Sequence, residues 1–468
     1  MRHSSPIRRL RIARIEPILV AAAVPLLLFP RSSLPLVGLG LLFLGWALQS
    51  LAARKWLTGT AVDHPLLATF LMTLVGVYQS SDLALSMPKF YGIILGLVVC
   101  RATVSNIFSQ RQFWIGAGVL IASIVPISLV GLIGTEWNAV KYPLLNQVYS
   151  SIPRLIRGVQ TSVGPTMGFH PNELAGTLAF LLPLPISLVL RASLPRVQRV
   201  ILAGIVLVGL GVLLLTASRS ALISLAVAVV GLLIWRWWRV GLIALVIAAL
   251  AIGIALSVDA SGVEDFILKI DATSTTPSER SFAFRIDVWN RAILMIEDFP
   301  FTGIGLNTFP IVIDARYPAV LGVHYLWIPH AHNIYLQVAV DLGLGGLMAF
   351  LGLWLCTALA GWRAFRQVGT SEGARSPLQA AIVGLLMGLL AYLTFGLTDA
   401  ITLGAKPTVL LWLIVGLVIA AQRLGQAPKV SQSSSAVISV VWHVYWIITY
   451  LLVGLGYLVS LASELTAF

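Results

Sequence analysis

The chain has 468 residues, of which 58% are hydrophobic and only 10% charged, with a mean hydropathy of +0.93. A soluble globular protein is about 25% charged, so this composition excludes one and indicates an integral membrane protein. The net charge of +13 would suggest a polyanion partner on a soluble chain. Here the basic residues fall between apolar runs, so membrane topology explains the charge and no nucleic acid is implied.

A spanning helix needs about 20 mostly apolar residues. Only helices and closed barrels satisfy their backbone groups in lipid, and long runs without two-residue alternation choose helices. The expected fold class is an all-α polytopic membrane protein of about 12–13 transmembrane helices with a large helical periplasmic loop. In chain order the spans are expected near 17–30, 34–52, 65–80, 89–105, 113–133, 174–191, 199–217, 220–235, 240–258, 333–361, 378–397, 406–422 and 437–460. These divide the chain into N-terminal spans (1–133), a first outer loop (134–173), middle spans (174–258), a large outer loop (259–332) and C-terminal spans (333–468). The basic segment with Arg2, Arg8, Arg9, Arg11 and Arg14 resembles a signal n-region, but no small-residue cleavage site follows, so an uncleaved first span is expected.

With that segment in the cytoplasm, the inner loops hold Arg54/Lys55, Arg101/Arg111, Arg191/Arg196/Arg199, Arg236/Arg239, Arg363/Arg366/Arg375 and Arg423/Lys429. The short outer loops hold only Arg31, Lys89, Arg219 and Lys406. This bias places the two long loops outside the cytoplasm. Cys100 and Cys356 both fall in expected spans without a CxxC or histidine partner, which speaks against a metal cluster.

Connections above about 15 residues usually carry function, and the large outer loop contains "TPSERSFAFRIDVWNRAILMIEDFP". Thr276 as N-cap, Pro277 in the first turn and Glu279 closing a capping box start a helix there, and Pro300 ends it. Ile286, Trp289, Ile293 and Ile296 form one apolar stripe suited to the bilayer surface. Arg280, Arg285 and Arg291 lie on this helix; an exposed basic face is the plainer explanation of any one of them. The segment "GQAPKVSQSSSA" before 437 reads as a flexible linker.

Four motifs could carry chemistry. In "HAHNIYLQVAVDLGLGGL", His332 falls at the outer N-terminus of a span, where the helix dipole disfavours imidazolium and leaves a group able to accept a proton. Asn333, Gln337 and Asp341 follow at four-residue intervals on one face, either holding that base or gluing helices together. His330, on the extended segment just before, is expected to point elsewhere. In "LLLTASRSALISL", Ser218 and Ser220 are candidate helix caps, and Arg219 sits in a tight outer turn where its planar fork suits phosphate, unless it merely snorkels. Arg285 is the third candidate. The fourth is "GFHPNELAGTLAF", where His170 and Asn172 could bind a ligand, or Asn172 could simply cap the helix. No phosphate loop, HExxH or GxSxG motif occurs, and the outer-loop acids form no DxD pair, so a metal-dependent glycosyltransferase is not indicated.

Taken together, these residues resemble the O-antigen ligase and O-antigen polymerase superfamily of bacterial membrane glycan ligases. Its ligase signature, a histidine and an amide or hydroxyl residue, nine residues, then G-x-x-G, is matched by His332-Asn333, Ile334 to Leu342, and Gly343 to Gly346. "TASRSA", the Arg285-x-x-x-Trp289 helix followed by "DFPFTGIGLNTF", and "HPNELAG" are similar to that family as well, and the resemblance covers about 160–360. It implies a transferase moving a glycan from undecaprenyl pyrophosphate to an acceptor hydroxyl on the periplasmic face of the bacterial inner membrane, without metal or other cofactor. Carried over, His332 would be the base and Arg219 and Arg285 would grip the pyrophosphate. Asn333, His330, Arg280, Arg291, His170 and Asn172 would serve substrate binding. The implied partners are the lipid-linked glycan donor, a lipid A core or other glycan or lipid acceptor, and membrane lipids. The main alternatives are a polysaccharide polymerase and, in a different class, a membrane transporter using Gln337, Asp341 and Asp399.

Overall fold

The computed structural model describes residues 15–30, 33–53, 59–135, 137, 146–152, 159–161, 164–166, 170–237, 239–240, 243, 277–318, 327–372 and 376–426. The elements are α1 (Ile15–Leu28), α2 (Leu34–Ala53), α3 (Asp63–Tyr78), α4 (Leu83–Asn106), α5 (Gln110–Gly134), α6 (Asn146–Ser151), α7 (Pro171–Leu181), α8 (Pro183–Arg191), α9 (Arg196–Leu215), α10 (Arg219–Arg236), α11 (Pro277–Asp298), α12 (Phe309–Arg316), α13 (Ile334–Glu372), α14 (Pro377–Phe395) and α15 (Thr408–Gln426). One three-residue antiparallel pair, β1 (Val159–Thr161) with β2 (Gly164–Thr166), is the only sheet among the described residues. The protein is an all-α polytopic membrane protein, with nine helices long and apolar enough to cross a bilayer among the described residues. Of the expected 425–436 linker, Gly425 and Gln426 belong to the end of α15; the rest of it, the expected span at 437–460, all of that at 240–258 but residues 240 and 243, and the Thr276 cap lie outside these residues.

Continuous apolar sequence explains why these helices form and where they pack. Side chains on α9 such as Val200, Ile201 and Leu207 are exposed, which is the condition of a lipid-facing surface. The interior is filled by large residues, among them Phe180, Phe350, Tyr392, Phe395 and Trp412. Polar residues gather at the two ends of the bundle. At one end Glu16 pairs with Arg101 and accepts from Asn106 Nδ2 at 2.9 Å, and Arg423 donates to the Val104 carbonyl at 3.0 Å.

The other end is assembled from the C-terminal ends of α3 and α14, the N-terminal ends of α4, α7 and α10, and the connections between them. Leu306 N donates to the Gly76 carbonyl at the end of α3, and Asn307 Nδ2 donates to the Leu85 carbonyl at the start of α4. Ile334 N donates to the Gly396 carbonyl at the end of α14. These contacts stretch the first nine residues of α13 from the end of α14 to the end of α3. The helix then breaks at Gly343, whose φ of 67° and ψ of −179° are open to glycine and strained for any other residue. The break admits the turn after α11: Leu344 N donates to the Pro300 carbonyl at 2.7 Å and Ile304 N to the Val340 carbonyl at 2.9 Å.

That docking fixes α11 alongside the first part of α13. Val288, Ala292 and Met295 are buried with Val340 and Ala331, and Phe284, Phe299 and Leu336 pack against them. The stripe expected at the bilayer surface, Ile286-Trp289-Ile293-Ile296, lies off this packing face: Ile293 is exposed and the other three are half-buried. The helix is apolar on two sides, and Val288, Ala292 and Met295 form the side that meets α13. Gln337 Oε1 accepts from Ala331 N at 2.7 Å, and Asp341 Oδ1 accepts from Asn307 N at 3.1 Å. Both fasten loops to the bundle end.

Candidate functional site

Asp399 lies in the connection between α14 and α15 and is buried. Three elements converge on its carboxylate. From the start of α7, Asn172 Nδ2 donates to Oδ2 at 2.7 Å. From the segment before α13, His332 Nδ1 lies 3.2 Å from Oδ1 and His330 Nε2 lies 3.9 Å from it. From α11, an Arg285 terminal nitrogen lies 4.0 Å from Oδ2. The Ala400 amide completes the set, donating to Oδ1 at 2.9 Å. Next door, the Thr398 carbonyl accepts from Arg285 Nε at 2.8 Å, and its hydroxyl bonds Ser220 Oγ at 2.8 Å. Ser220 directly follows Arg219, so the turn that opens α10 is tied to the same loop and brings exposed Arg219 to this end of the bundle.

The hydrogen bonds also assign the protons. Burial opposes ionisation of Asp399, but the bond from His332, the two imidazoles and the Ala400 amide outweigh it and hold the carboxyl well below the usual carboxylate range. An ionised carboxylate only accepts, so His332 donates from Nδ1, and the neutral ring in that tautomer has its lone pair on Nε2. His330 is the opposite tautomer: its Nδ1 accepts from the His332 amide at 3.1 Å, leaving the proton on Nε2, which faces Asp399. Burial, then the neighbouring imidazole of His332, pushes His330 well below the ordinary histidine range. The same amide contact holds His332 at φ 48°, a left-handed conformation that costs a non-glycine residue about 1–3 kcal/mol. Such a strained residue persists only where its surroundings over-determine it. The Phe284 ring stands edge-on to His332 with centroids 5.5 Å apart and covers one side of it.

The sequence candidates separate on this geometry. The structure brings together His332, His330, Arg285 and Asn172, with Arg219 adjacent through Ser220. His330 does not point elsewhere as its extended segment suggested: its ring centroid is 4.4 Å from that of His332, because both turn toward one carboxylate. His170 is the N-cap of α7, accepting at Nδ1 from the Asn172 amide at 3.3 Å, which leaves the Asn172 side chain to reach Asp399. Asn333 caps α13, its Oδ1 accepting from Tyr335 N and Leu336 N and its Nδ2 donating to the Leu397 carbonyl. Ser218 is the N-cap of α10 by position but makes no capping bond with its side chain. Arg291 is 2% exposed, 2.9 Å from Asp287 and 3.3 Å from Asp314, and braces α11 against α12 away from the cluster. The side chain of Arg280 lies outside the described residues.

Asp399 is the residue that sequence reasoning assigned to another role, as part of a transport route. It is 67 positions from His332, too far for any local motif; the available signal was an acid at the outer end of a span between two threonines. The ligand atoms of His330, His332 and Asp399 lie within 4.8 Å of one another, a spacing that a divalent cation could bridge. The Arg285 guanidinium already supplies positive charge to that carboxylate, and the bond accepted by His330 Nδ1 leaves that ring's proton on Nε2, the atom that faces Asp399.

Fold and cluster together define a multi-pass membrane protein with two histidines, a buried carboxylate and an arginine gathered at one end of its bundle. The family model described as O-Antigen ligase matches residues 204–351, and over that segment the match supports the O-antigen ligase superfamily. The matched segment holds Arg219, Arg285, His330, His332 and Asn333, while Asn172 and Asp399 lie outside it. No curated protein matches the chain.

Proposed function

We propose that the protein transfers a glycan from undecaprenyl pyrophosphate to an acceptor hydroxyl on the periplasmic face of a bacterial inner membrane, with His332 as general base. The observation that carries this reading is the convergence of His332, Arg285 and Asn172 on Asp399. The acceptor O–H gives its proton to His332 Nε2, and the oxygen forms a bond to the anomeric carbon. The bond from that carbon to the pyrophosphate oxygen breaks, and its electron pair leaves with the pyrophosphate. Asp399 stabilises the imidazolium formed in this step and keeps the ring in the tautomer that can accept. Arg285, fixed through Nε to Thr398, and Arg219 on the neighbouring turn stabilise charge as it builds on the leaving group. The donor's polyprenyl chain stays in lipid, which accounts for a reacting centre at the end of the bundle rather than in its middle.

A growing polysaccharide as acceptor would use the same chemistry, so polymerase and ligase differ only in what offers the hydroxyl. A transporter would need polar groups through the whole bundle, whereas buried Glu16, paired with Arg101, sits at one end and buried Asp399 at the other, and the buried polar residues between them include single hydroxyls such as Ser187, Ser224 and Thr357. The test is a reconstituted assay in nanodiscs with undecaprenyl-pyrophosphate-linked glycan and candidate acceptors, with a chelator present. A glycosidic product formed together with undecaprenyl pyrophosphate supports the proposal. Movement of intact donor or of ions across proteoliposomes, with no product, overturns it.

A further inference from the structure

A cavity of about 350 Å³ lies between the end of α1, the start of α4 and residues 404–406 of the loop that also carries Asp399. Leu27, Leu28 and Phe29 form an apolar wall, Pro88 and Lys89 of α4 a second, and Lys406 lies across from them. Two glycines let this happen: Gly92 of α4 and Gly404 of the loop meet so closely that a Cβ on either would run into the backbone of the other strand of chain. Their contact sets the loop down on α4 and brings the two lysines to one chamber.

The chemistry of the chamber is specific. Lys89 Nζ donates to Thr402 Oγ1, and an ammonium has three donors, so that bond orients the group without exhausting it. Lys406 Nζ stands 4.5 Å above the Phe29 ring, a cation–π contact that fixes a charge next to apolar surface. A smaller void continues from Lys89 past Thr402 to Gln337 and Asp341, on the way to the His332 segment. Two ammoniums facing an apolar wall at a bundle end suit one kind of ligand, an anion attached to a hydrocarbon tail. The volume lies at the lower end of the range for ligand pockets, about 300–1,000 Å³, and admits a phosphorylated sugar or glycerol head but not a second oligosaccharide.

We propose that this cavity binds the phosphate-bearing head of a lipid-anchored molecule, with Lys89 and Lys406 holding the phosphate and the half-buried Phe29 and Pro30 beside the start of its tail. Such a head has two sources: a resident anionic phospholipid, or a phosphorylated lipid that is itself the acceptor. The second source rests on the transfer reading above; binding does not. The geometry favours neither over the other in charge, and both place a phosphate against Lys89 and Lys406, in a chamber whose lining includes neither Arg285 nor Arg219.

The test uses the full chain in phosphatidylcholine nanodiscs. Binding of dihexanoyl phosphatidic acid, dihexanoyl phosphatidylcholine and inorganic phosphate is followed by thermal shift and native mass spectrometry, for wild type and for Lys89→Gln, Lys406→Gln and Arg285→Ala. The expectation is that phosphatidic acid binds and phosphatidylcholine does not, and that inorganic phosphate binds more weakly. Each lysine variant should lose about tenfold or more in affinity, the scale of one charge-assisted contact, and Arg285→Ala should lose none. Lys406 is exposed, so Lys406→Gln reports on binding even if Lys89→Gln folds poorly. Equal binding of phosphatidylcholine, unchanged binding by Lys406→Gln, or loss in Arg285→Ala overturns the proposal. The transfer assay then names the source. An acceptor head gives a raised acceptor KM at unchanged kcat in Lys406→Gln. A resident lipid gives a kcat that rises when phosphatidylglycerol replaces phosphatidylcholine, whatever the acceptor concentration. Failure of all transfer with phosphatidic acid binding intact would count against the proposed reaction and leave this site standing.

Discussion

Replacing Asp399 by asparagine separates the tautomer argument from simple charge loss. The carboxylate accepts from Asn172 Nδ2 at 2.7 Å, from the Ala400 amide at 2.9 Å and from His332 Nδ1 at 3.2 Å. An amide cannot accept on both sides. With its nitrogen in the Oδ2 position it meets the Asn172 donor and the Arg285 guanidinium; with its nitrogen in the Oδ1 position it meets the Ala400 donor and forces His332 to accept at Nδ1, which moves the proton to Nε2. The first arrangement loses one hydrogen bond to a charged group, about 1.5–3 kcal/mol. The second removes the base, worth about 10²–10⁴-fold in rate. The expected outcome for Asp399→Asn is a fall in kcat of about 10²–10⁴, with a correctly folded protein that still binds donor. The assay is steady-state glycan transfer by the purified variant in nanodiscs, with donor affinity and melting temperature measured on the same preparation. Transfer at close to the wild-type rate, with the fold intact, would refute the role given to Asp399.

Arg219→Ala and Arg285→Ala should each weaken donor use by about 10- to 100-fold, the equivalent of 1.5–3 kcal/mol for a charge-assisted contact, with melting temperatures little changed; lysine should rescue only in part because it offers a point charge and not a fork. Donor titration curves that superimpose on wild type would remove them from the site. Stability should fall with acid: His330 is held well below its ordinary range in the fold, so between its ordinary value near 6.5 and its folded value the unfolded chain binds the extra proton. Stability is then full at neutral pH and is lost below about 6.5, at up to about 1.4 kcal/mol per pH unit for one proton. His330→Gln should flatten the drop in melting temperature between pH 7.5 and 5.5, and an unchanged slope contradicts the assignment. Gly343→Ala should cost about 1–3 kcal/mol in backbone strain alone, since the new Cβ would come within 2.6 Å of Phe301 backbone atoms; a melting temperature equal to wild type would show that the break is not needed.

Span positions were legible because a continuous apolar run has one stable solution in lipid. Among the described residues every expected span is a helix, and the 174–191 span is two, α7 and α8, divided at Pro183. Helix ends were less legible, as at α4, which starts at Leu83 and runs through Pro88. Which face of α11 packs on α13 was not legible, because Ile286-Trp289-Ile293-Ile296 and Phe284-Val288-Ala292-Met295 both have helical spacing, and only the partner chooses between them. The G-x-x-G element was visible as a motif, but its work, a φ of 67° that breaks α13 and seats the turn after α11, is a tertiary fact. His332, Arg285 and Arg219 could be picked out because each is a polar residue where apolar sequence is the rule. Asp399 met the same test, yet its partners come from α7, α11 and the segment before α13, and no spacing in the sequence joins them.

If His332 takes the acceptor proton, His332→Ala is the direct test, with transfer and donor binding measured side by side with His330→Ala. The expected result is that His332→Ala loses about 10²–10⁴-fold in transfer while donor affinity holds. His330→Ala should lose less, because it supports the His332 backbone and does not take the proton. Activity retained by His332→Ala, with the loss falling on His330→Ala, would contradict the choice of base; full activity in both would contradict the mechanism.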